Sequence, residues 1–430
     1  MLLFLLVIVV VLAVLAGAHW YLWRRLVRDV TRPGGAARRA GTAAAFALPL
    51  LSVAALVSGR AGAPFWLEQT LAWPGYLWLA LLLYLFLALL ATEIVRPFLL
   101  RRRAGCAPVR ASSAADGAEG GGDADPAPSA TGSAGTTTAV RAAAAAPPQA
   151  PPGAGLARRM FVSRVLAGTA AAAATGTVAY GTYSVLKGPA LKRVTVPLAK
   201  LPRAAHGLRI AVVSDIHLGP VLGRAHTQRI VDTINHAQPD LVAVVGDLVD
   251  GSVADLGPAA EPLARLRARY GSFFVTGNHE YFSGAEEWVD EVRELGLRPL
   301  RNERVEIAGG FDLAGVNDVA GANHGDGPDF ARALGDRDPA RAAVLLAHQP
   351  VLIDEAVRHG VDLQLSGHTH GGQMWPGNLL ADLANPTLAG LERYGDTQLY
   401  VTRGAGAWGP PVRVGAPSDV TVVQLASLQA

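Results

Sequence analysis

Five short apolar runs in the second half of the chain restrict its fold more than any other feature. Each run ends close to an Asp, Asn or His, and a predicted helix at 224–236 separates the first two runs. Short, fully apolar runs that alternate with helices are typical of buried strands in β-α-β units. The sequence therefore predicts an α/β domain. The five segments are "LRIAVVSDIH" (208–217), "DLVAVVGDLVD" (240–250), "GSFFVTGNHE" (271–280), "AAVLLAHQP" (342–350) and "VDLQLSGHTH" (361–370).

The side chains at the ends of these runs form a candidate ligand set. Because ligands of open α/β sheets bind beyond the carboxyl ends of the strands, we expect these side chains to meet at one rim. Carboxylate, amide and imidazole groups are suited to binding Mn, Fe or Zn. The set is too large for one ion and fits two ions that share a carboxylate. Each residue taken singly is equally a polar strand end or turn residue, so the argument depends on their joint occurrence. They are Asp215, His217, Asp247, Asn278, His279, His348, His368 and His370.

Long apolar runs precede this domain and predict membrane spans. Residues 2–22 form an unbroken apolar run that ends in aromatic residues and then arginines, as a transmembrane helix does at an interface. A cleaved signal peptide normally has charges before its apolar core, and none precede this run, so we expect it to be retained. Three further runs cover about 42–57, 74–95 and 165–186, and the first three spans make up a membrane region at 1–103.

The arginines predict the orientation of these spans. They cluster between spans one and two, after span three and before span four, whereas the loop between spans two and three has only Arg60. Arginine-rich loops face the cytoplasm, which places the N-terminus and everything after span four outside. We therefore expect a multi-pass protein of the cell membrane whose C-terminal domain is extracytoplasmic.

The fourth hydrophobic segment, placed at 158–187, begins with a possible export signal. The stretch "RRMFVSRVLAG" resembles a twin-arginine signal through Arg158, Arg159 and Phe161. That interpretation adds the twin-arginine export machinery as a partner and implies that the domain folds before it crosses the membrane. The alternative is that these are only membrane-flanking charges, because the segment is internal rather than N-terminal.

Residues 104–157 are composed mainly of Ala, Gly, Ser, Thr and Pro. Such a composition buries too little surface to offset the entropy of ordering, so we expect a disordered linker. Cys106, within it, is the only cysteine, which excludes an intramolecular disulfide and leaves the domain at 192–428 dependent on its core. The net charge of +3 comes largely from membrane-flanking arginines, so we expect no nucleic-acid partner.

The ordered blocks resemble the calcineurin-like metallophosphoesterases. The resemblance runs from about residue 208 to the C-terminus, roughly half of the chain, and implies two packed mixed β-sheets flanked by helices. The extended motif "GHTHGGQ", followed by "TRGAGAWGPPVR" (402–413), is similar to the membrane-associated or exported bacterial branch typified by YkuE and YaeI. The five blocks are "DIH" (215–217), "GDLVD" (246–250), "GNHE" (277–280), His348 in "AHQP" and "GHTH" (367–370).

Carried over residue by residue, the resemblance implies two divalent metal ions, Mn, Fe or Zn, bridged by Asp247. Glycines next to His368 and His370 would let the backbone approach without a Cβ clash. One ion would be held by Asp215, His217, Asp247 and His370, and the other by Asp247, Asn278, His348 and His368.

The resemblance also implies the catalytic groups. Two cations acidify a shared water to hydroxide and clamp phosphate oxygens for an in-line attack. His279 corresponds to the general acid that protonates the leaving oxygen, and Asp250 to the residue that hydrogen-bonds this histidine. The alternative for Asp250 is a helix or turn cap. Arg413 has two interpretations, contact with a substrate phosphate or packing beside Trp408.

The sequence predicts a membrane-anchored, dinuclear metal-dependent phosphoesterase acting on a phosphomonoester, phosphodiester or pyrophosphate. A diester or pyrophosphate is preferred, and the membrane anchor suggests a lipid-linked substrate. Protein phosphatases of this superfamily have Arg after the Asp that corresponds to Asp250, and Gly251 stands there instead, which counts against phosphoprotein substrates. One alternative is a non-catalytic, metal-dependent sensing module coupled to the spans. Another is a transporter, for which Glu93 is the candidate intramembrane charge.

Overall fold

Four long helices, each long and apolar enough to cross a membrane, lead into an α/β domain. The computed structural model describes residues 2–101 and 154–429. A π-helical turn, Arg24–Arg28, continues the first helix. The four helices are α1 (Leu2–Trp23), α2 (Ala36–Val57), α3 (Phe65–Arg101) and α4 (Ala154–Leu186).

The helices are longer than the apolar runs that predict them. Helix α2 begins six residues before 42, and α3 extends beyond 74–95 at both ends with Pro74 and Pro97 inside it. An apolar run marks only the membrane-buried part, whereas backbone hydrogen bonding carries the helix into its polar flanks, and prolines are tolerated in such helices. Helix α4 begins inside the segment predicted as linker. The remainder of that segment, with Cys106, lies outside the described residues.

Close packing and one charge cluster hold the spans together. Gly75 of α3 lies against α2, where a Cβ would come within 2.6 Å of the Ala55 side chain, and Ser52 donates to the Gly75 carbonyl over 2.8 Å. At the opposite end of the bundle, the Glu93 carboxylate accepts from Arg25 over 2.9 Å. Glu93 is therefore part of an ion-pair cluster at one end of the bundle, which does not favour the transporter alternative.

The α/β domain contains two mixed six-stranded sheets. The first has the order β1-β12-β2-β3-β4-β5 and the second β10-β11-β9-β8-β7-β6. The strands are β1 (Ala190–Leu198), β2 (Arg209–Val213), β3 (Leu241–Val245), β4 (Ser272–Val275), β5 (Arg298–Pro299), β6 (Glu303–Ile307), β7 (Phe311–Gly315), β8 (Ala343–Leu346), β9 (Leu363–Ser366), β10 (Gly390–Tyr394), β11 (Thr397–Val401) and β12 (Asp419–Ser427).

The two sheets pack face to face, and helices cover their outer faces. Alternate residues such as Val212 in β2, Val245 in β3 and Leu346 in β8 point into a shared apolar core between the sheets. The outer clusters include residues of α5, α6 and α8 for the first sheet and of α9 and α10 for the second. The helices of the domain are α5 (Arg224–Ala237), α6 (Val253–Ala260), α7 (Asn278–Ser283), α8 (Ala285–Glu294), α9 (Phe330–Leu334), α10 (Ile353–Arg358) and α11 (Gly377–Ala384).

The two packed mixed sheets implied by the resemblance are confirmed, and the five apolar runs divide between them. The first three apolar runs form β2, β3 and β4 of one sheet, and the last two form β8 and β9 of the other. An apolar run does not encode which neighbour a strand pairs with, because pairing is a long-range choice. The carboxyl ends nevertheless meet, since His348 after β8 contacts the Val245 carbonyl of β3 over 2.9 Å.

The domain lies directly against the spans. Helix α4 leads into β1, and the Arg413 backbone N–H donates to the Gly181 carbonyl of α4 over 3.2 Å. The Tyr84 hydroxyl of α3 donates to the Trp375 carbonyl over 3.0 Å. The spans therefore form part of the surroundings of the α/β domain.

Candidate metal centre

The predicted ligands sit on unusual backbone at the strand ends. Five of the seven have positive φ: Asp215 (51°), His217 (49°), Asp247 (54°), His368 (72°) and His370 (53°). Only three other non-glycine residues of the described chain share this conformation. Residues with a Cβ adopt positive φ at a cost in free energy that the surrounding structure must offset. Such residues cluster at functional sites.

One group of ligand atoms joins the two sheets. Suitable atoms of Asp215, His217 and His370 all lie within 4.8 Å of one another. The Nε2 atoms of His217 and His370 are 3.0 Å apart, and His370 Nε2 is 3.4 Å from Asp215 Oδ1. Gly367 makes this approach possible, because a Cβ there would lie 2.4 Å from Asp215 Oδ2.

A second group lies beside the first and includes the Asp247 carboxylate. Asp247, His348 and His368 also have ligand atoms within 4.8 Å of one another. His348 Nε2 is 3.1 Å from Asp247 Oδ2, and His217 Nε2 of the first group is 3.7 Å from the same oxygen. The Asp247 carboxylate thus lies between the two groups, in the position that a bridging ligand requires.

The hydrogen bonding of these residues fits divalent cations. Asn278 Oδ1 is buried without a hydrogen-bond partner, at the start of α7. The His348 Nδ1–H donates to a backbone carbonyl, so the lone pair of the neutral ring is on Nε2, which faces Asp247. Imidazole, carboxylate and amide donors together match Mn, Fe or Zn, as the sequence predicts.

The electrostatics of the site favour positive charge. Burial disfavours protonation of His217, but Asp250 and Asp247 outweigh it and raise its pKa to about 9. Burial also opposes ionisation of Asp247, yet His348 and His217 hold its pKa well below the usual range. For His368, burial lowers the pKa to about 4. The Asp247 carboxylate therefore remains ionised and attracts cations, as a metal site must, whereas burial raises the pKa of Asp215.

The predicted catalytic pair is in contact. Asp250 Oδ1 accepts from His279 Nδ1 over 2.6 Å and lies 3.1 Å from His217 Nδ1. Burial would raise the pKa of Asp250, but the two histidines outweigh it and lower this pKa to about 2. The capping alternative for Asp250 is not observed, because Ser252 caps α6. Asp250 therefore orients both His217, a predicted metal ligand, and His279, the predicted general acid.

Glu280 is a functional candidate that sequence reasoning left unassigned. Its buried carboxylate accepts from the backbone N–H groups of Asp247 (3.0 Å), Leu248 (2.7 Å) and Gly277 (2.6 Å). Burial, and then the Asp247 charge, raises its pKa to about 7. Its place in "GNHE" next to His279 was the available signal, but only the tertiary structure identifies its acceptor role. Glu280 fixes the backbone that carries Asp247.

Arg413 does not lie where it could contact a substrate phosphate. Its guanidinium is buried and donates to the carbonyls of Gly406 (2.7 Å), His370 (3.1 Å) and Ala416 (3.1 Å). A side chain enclosed in this way cannot reach a substrate, because moving it would leave three carbonyls without donors. Arg413 instead holds the loop that carries His370.

Comparisons with known proteins agree with this geometry. The model of the calcineurin-like phosphoesterase family matches residues 208–372. The chain is 35% identical over 254 residues to an uncharacterized metallophosphoesterase of Aquifex aeolicus, which covers 58% of this chain and 97% of that protein. It is 28% identical over 285 residues to the metallophosphoesterase YkuE of Bacillus subtilis, covering 63% and 98%.

A relative with a membrane region is also similar. The chain is 39% identical over 259 residues to a transmembrane protein with metallophosphoesterase domain from Danio rerio, covering 57% of this chain and 59% of that protein. The match therefore spans about three fifths of that relative. The fold and site define a metal-dependent phosphoesterase domain behind apolar helices. The chain belongs to the calcineurin-like metallophosphoesterase family.

Replacing Glu280 tests the support beneath Asp247. In Glu280→Gln, an amide NH₂ replaces one acceptor oxygen and faces backbone N–H groups, so we expect the free energy of unfolding to fall by about 1–3 kcal/mol. We also expect fewer bound metal ions per chain. Thermal unfolding and elemental analysis of the purified full-length protein measure these effects. The exposed Glu294→Gln on α8 is the control, and equal behaviour of the two variants would contradict this role.

Proposed function

We propose that this protein is a membrane-anchored phosphoesterase with two metal ions that hydrolyses a phosphodiester or pyrophosphate bond of a lipid-linked substrate on the extracytoplasmic face. Asp215, His217, Asp247, Asn278, His348, His368 and His370 would hold the ions. His279 would act as the general acid, and Asp250 would position it.

One observation carries this proposal: the cleft in front of His279 is shared with the spans. It has a volume of about 400 Å³. The domain contributes Asp250, His279 and Trp408 to its walls, and the membrane region contributes Leu56 and Tyr76. A substrate in this cleft would touch the predicted catalytic pair and the ends of α2 and α3 at once. The geometry suits a molecule that is itself held in the membrane.

The predicted catalytic groups lie at one end of this cleft and would have separate roles. Bound metal ions would supply Lewis-acid stabilisation of phosphate oxygens and lower the pKa of a coordinated water. His279 uses Nδ1 to contact Asp250, which leaves Nε2 to give a proton to the leaving oxygen. His279 Nε2 lies 4.0 Å from Asp247 Oδ2, so the acid faces the centre of the site.

The lining of the cleft supports a substrate with an apolar part. Phe282 and Trp408, both more than half exposed, flank the His279 ring with centroid distances of 5.5 and 5.6 Å. Leu56 continues this apolar surface at the end of α2, where Arg60 in the connection to α3 adds a cation. The aromatic and aliphatic groups would contact the lipid chain of a leaving group, and Arg60 would contact its anionic headgroup. Two carboxylates, Glu68 and Asp255, also line the cleft.

The same arrangement supports the proposed orientation. The connection between α2 and α3, with Arg60 as its only arginine, lines the cleft beside the domain. The Arg25, Glu93 and Arg96 cluster lies at the other end of the bundle. The positive-inside rule then assigns the charged end to the cytoplasm and the catalytic domain to the outside.

Hydrolysis of bis(p-nitrophenyl) phosphate with Mn²⁺ tests the chemistry. We expect the full-length protein to turn over this diester, and His279→Ala to reduce kcat about a hundredfold or more because proton transfer to the leaving group is lost. His236→Ala, an exposed histidine of α5, is the control. Elemental analysis should find two ions per chain in all three proteins. Bound metal without turnover in the unaltered protein would instead favour the sensing module.

Replacing Arg60 tests whether the substrate is lipid-linked or soluble. For a long-chain isoprenyl pyrophosphate in mixed micelles, Arg60→Ala should raise KM about tenfold, the effect of one lost charge-assisted hydrogen bond. Turnover of bis(p-nitrophenyl) phosphate should change little. Arg39→Ala, at the opposite end of α2, serves as the control. An equal loss on both substrates, or no loss on either, contradicts a role in recognising the membrane-held part.

The orientation has an independent test. A reporter enzyme that is active only outside the cytoplasm, fused after Ala430, should be active, because the domain follows the fourth span. A second reporter that requires the cytoplasm should be silent at this position and active when inserted between α1 and α2. The reverse pattern would overturn the assigned orientation without affecting the chemistry.

A further inference from the structure

Helix α11 presents an apolar surface on the catalytic domain that residues 2–101 and 154–429 do not cover. Leu379, Leu380 and Leu383 are 59%, 73% and 85% exposed, and Trp375 just before the helix is 51% exposed. The three leucines lie within about 100° of one another around the helix. A contiguous, exposed apolar surface of this kind marks a site that contacts a protein partner or a membrane.

The position of this surface favours a membrane over a protein partner. Met374 packs against the apolar cluster of the spans, and the Trp375 carbonyl accepts from Tyr84 in the middle of α3 over 3.0 Å. The segment from Trp375 to α11 is therefore continuous with the surface of the membrane helices. Leu90 and Ile94 of α3 are exposed in the same way, as lipid-facing residues are.

The depth of Tyr84 places this contact at the level of lipid. Glu93 belongs to the charge cluster that ends the bundle, and Tyr84 precedes it by nine residues. A hydrocarbon layer of about 30 Å spans about 20 residues of helix, so along α3 it reaches from Glu93 to about residue 73. Tyr84 lies well inside this range, and the backbone of Trp375 lies beside it.

We propose that α11 and Trp375 insert into the membrane leaflet on the side of the catalytic domain, with the leucine face toward the acyl chains. An amphipathic helix with Leu and Trp on one face can bury that face among acyl chains. Asp382, about 100° around the helix from Leu383, faces the headgroups. The catalytic domain is then held by lipid as well as by α4, which keeps its cleft at the membrane surface.

A fluorescent label on α11 tests the insertion. The full-length protein carrying Cys106→Ser and Leu383→Cys is labelled with an NBD fluorophore and reconstituted into phosphatidylcholine and phosphatidylglycerol vesicles. We expect blue-shifted emission that doxyl-labelled lipids quench and aqueous iodide does not. Two matched variants carry the label at Asp382 on the same helix and at Glu294 on α8. Both should be more accessible to iodide than the Leu383 label.

The outcomes separate the possible occupants of the surface. Equal iodide quenching at Leu383 and Glu294 would show that the helix lies in water and would overturn the proposal. Blue-shifted emission without quenching by doxyl lipids would also overturn it, because protein, such as a second copy of the chain, would then cover the leucines. Leu380→Cys, labelled in the same way, repeats the test at a second position. Since no turnover is measured, the result is independent of the proposed function.

Discussion

The carboxylate of Asp247 is the point on which the candidate site depends. It lies where the carboxyl ends of the two sheets meet, 3.1 Å from His348 of one sheet and 3.7 Å from His217 of the other. Its backbone has positive φ and is held by the buried Glu280 through the Asp247 N–H. Strain of this kind persists only where neighbouring contacts over-determine it, and here those contacts come from both sheets.

The membrane region and the α/β domain line one cleft together. The ends of α2 and α3 line the same cleft as His279, and Tyr84 in the middle of α3 contacts the loop before α11. Under the proposed function, a cleft between the domain and the spans would select substrates by their location in the membrane as well as by their phosphate chemistry.

Much of the site was predictable because its signals are local. Short apolar runs that end in ligand-type residues indicate buried strands, and all five runs contain strands, although each strand is shorter than the run. Contacts made at a distance were not predictable in this way. Glu280 and Arg413 hold the ligand loops through backbone groups, and a backbone acceptor or donor leaves no mark on the sequence of its partner.

The sequence by itself determined which residue types are available as ligands, where apolar helices long enough to span a membrane occur, and the family, because these depend on neighbours along the chain. Only the tertiary structure decided that the runs divide between two sheets, that Glu280 holds the backbone of Asp247, and that Arg60 lines the same cleft as His279. The physical reason is that each of these depends on packing between segments far apart in the chain, which local apolar patterns do not encode.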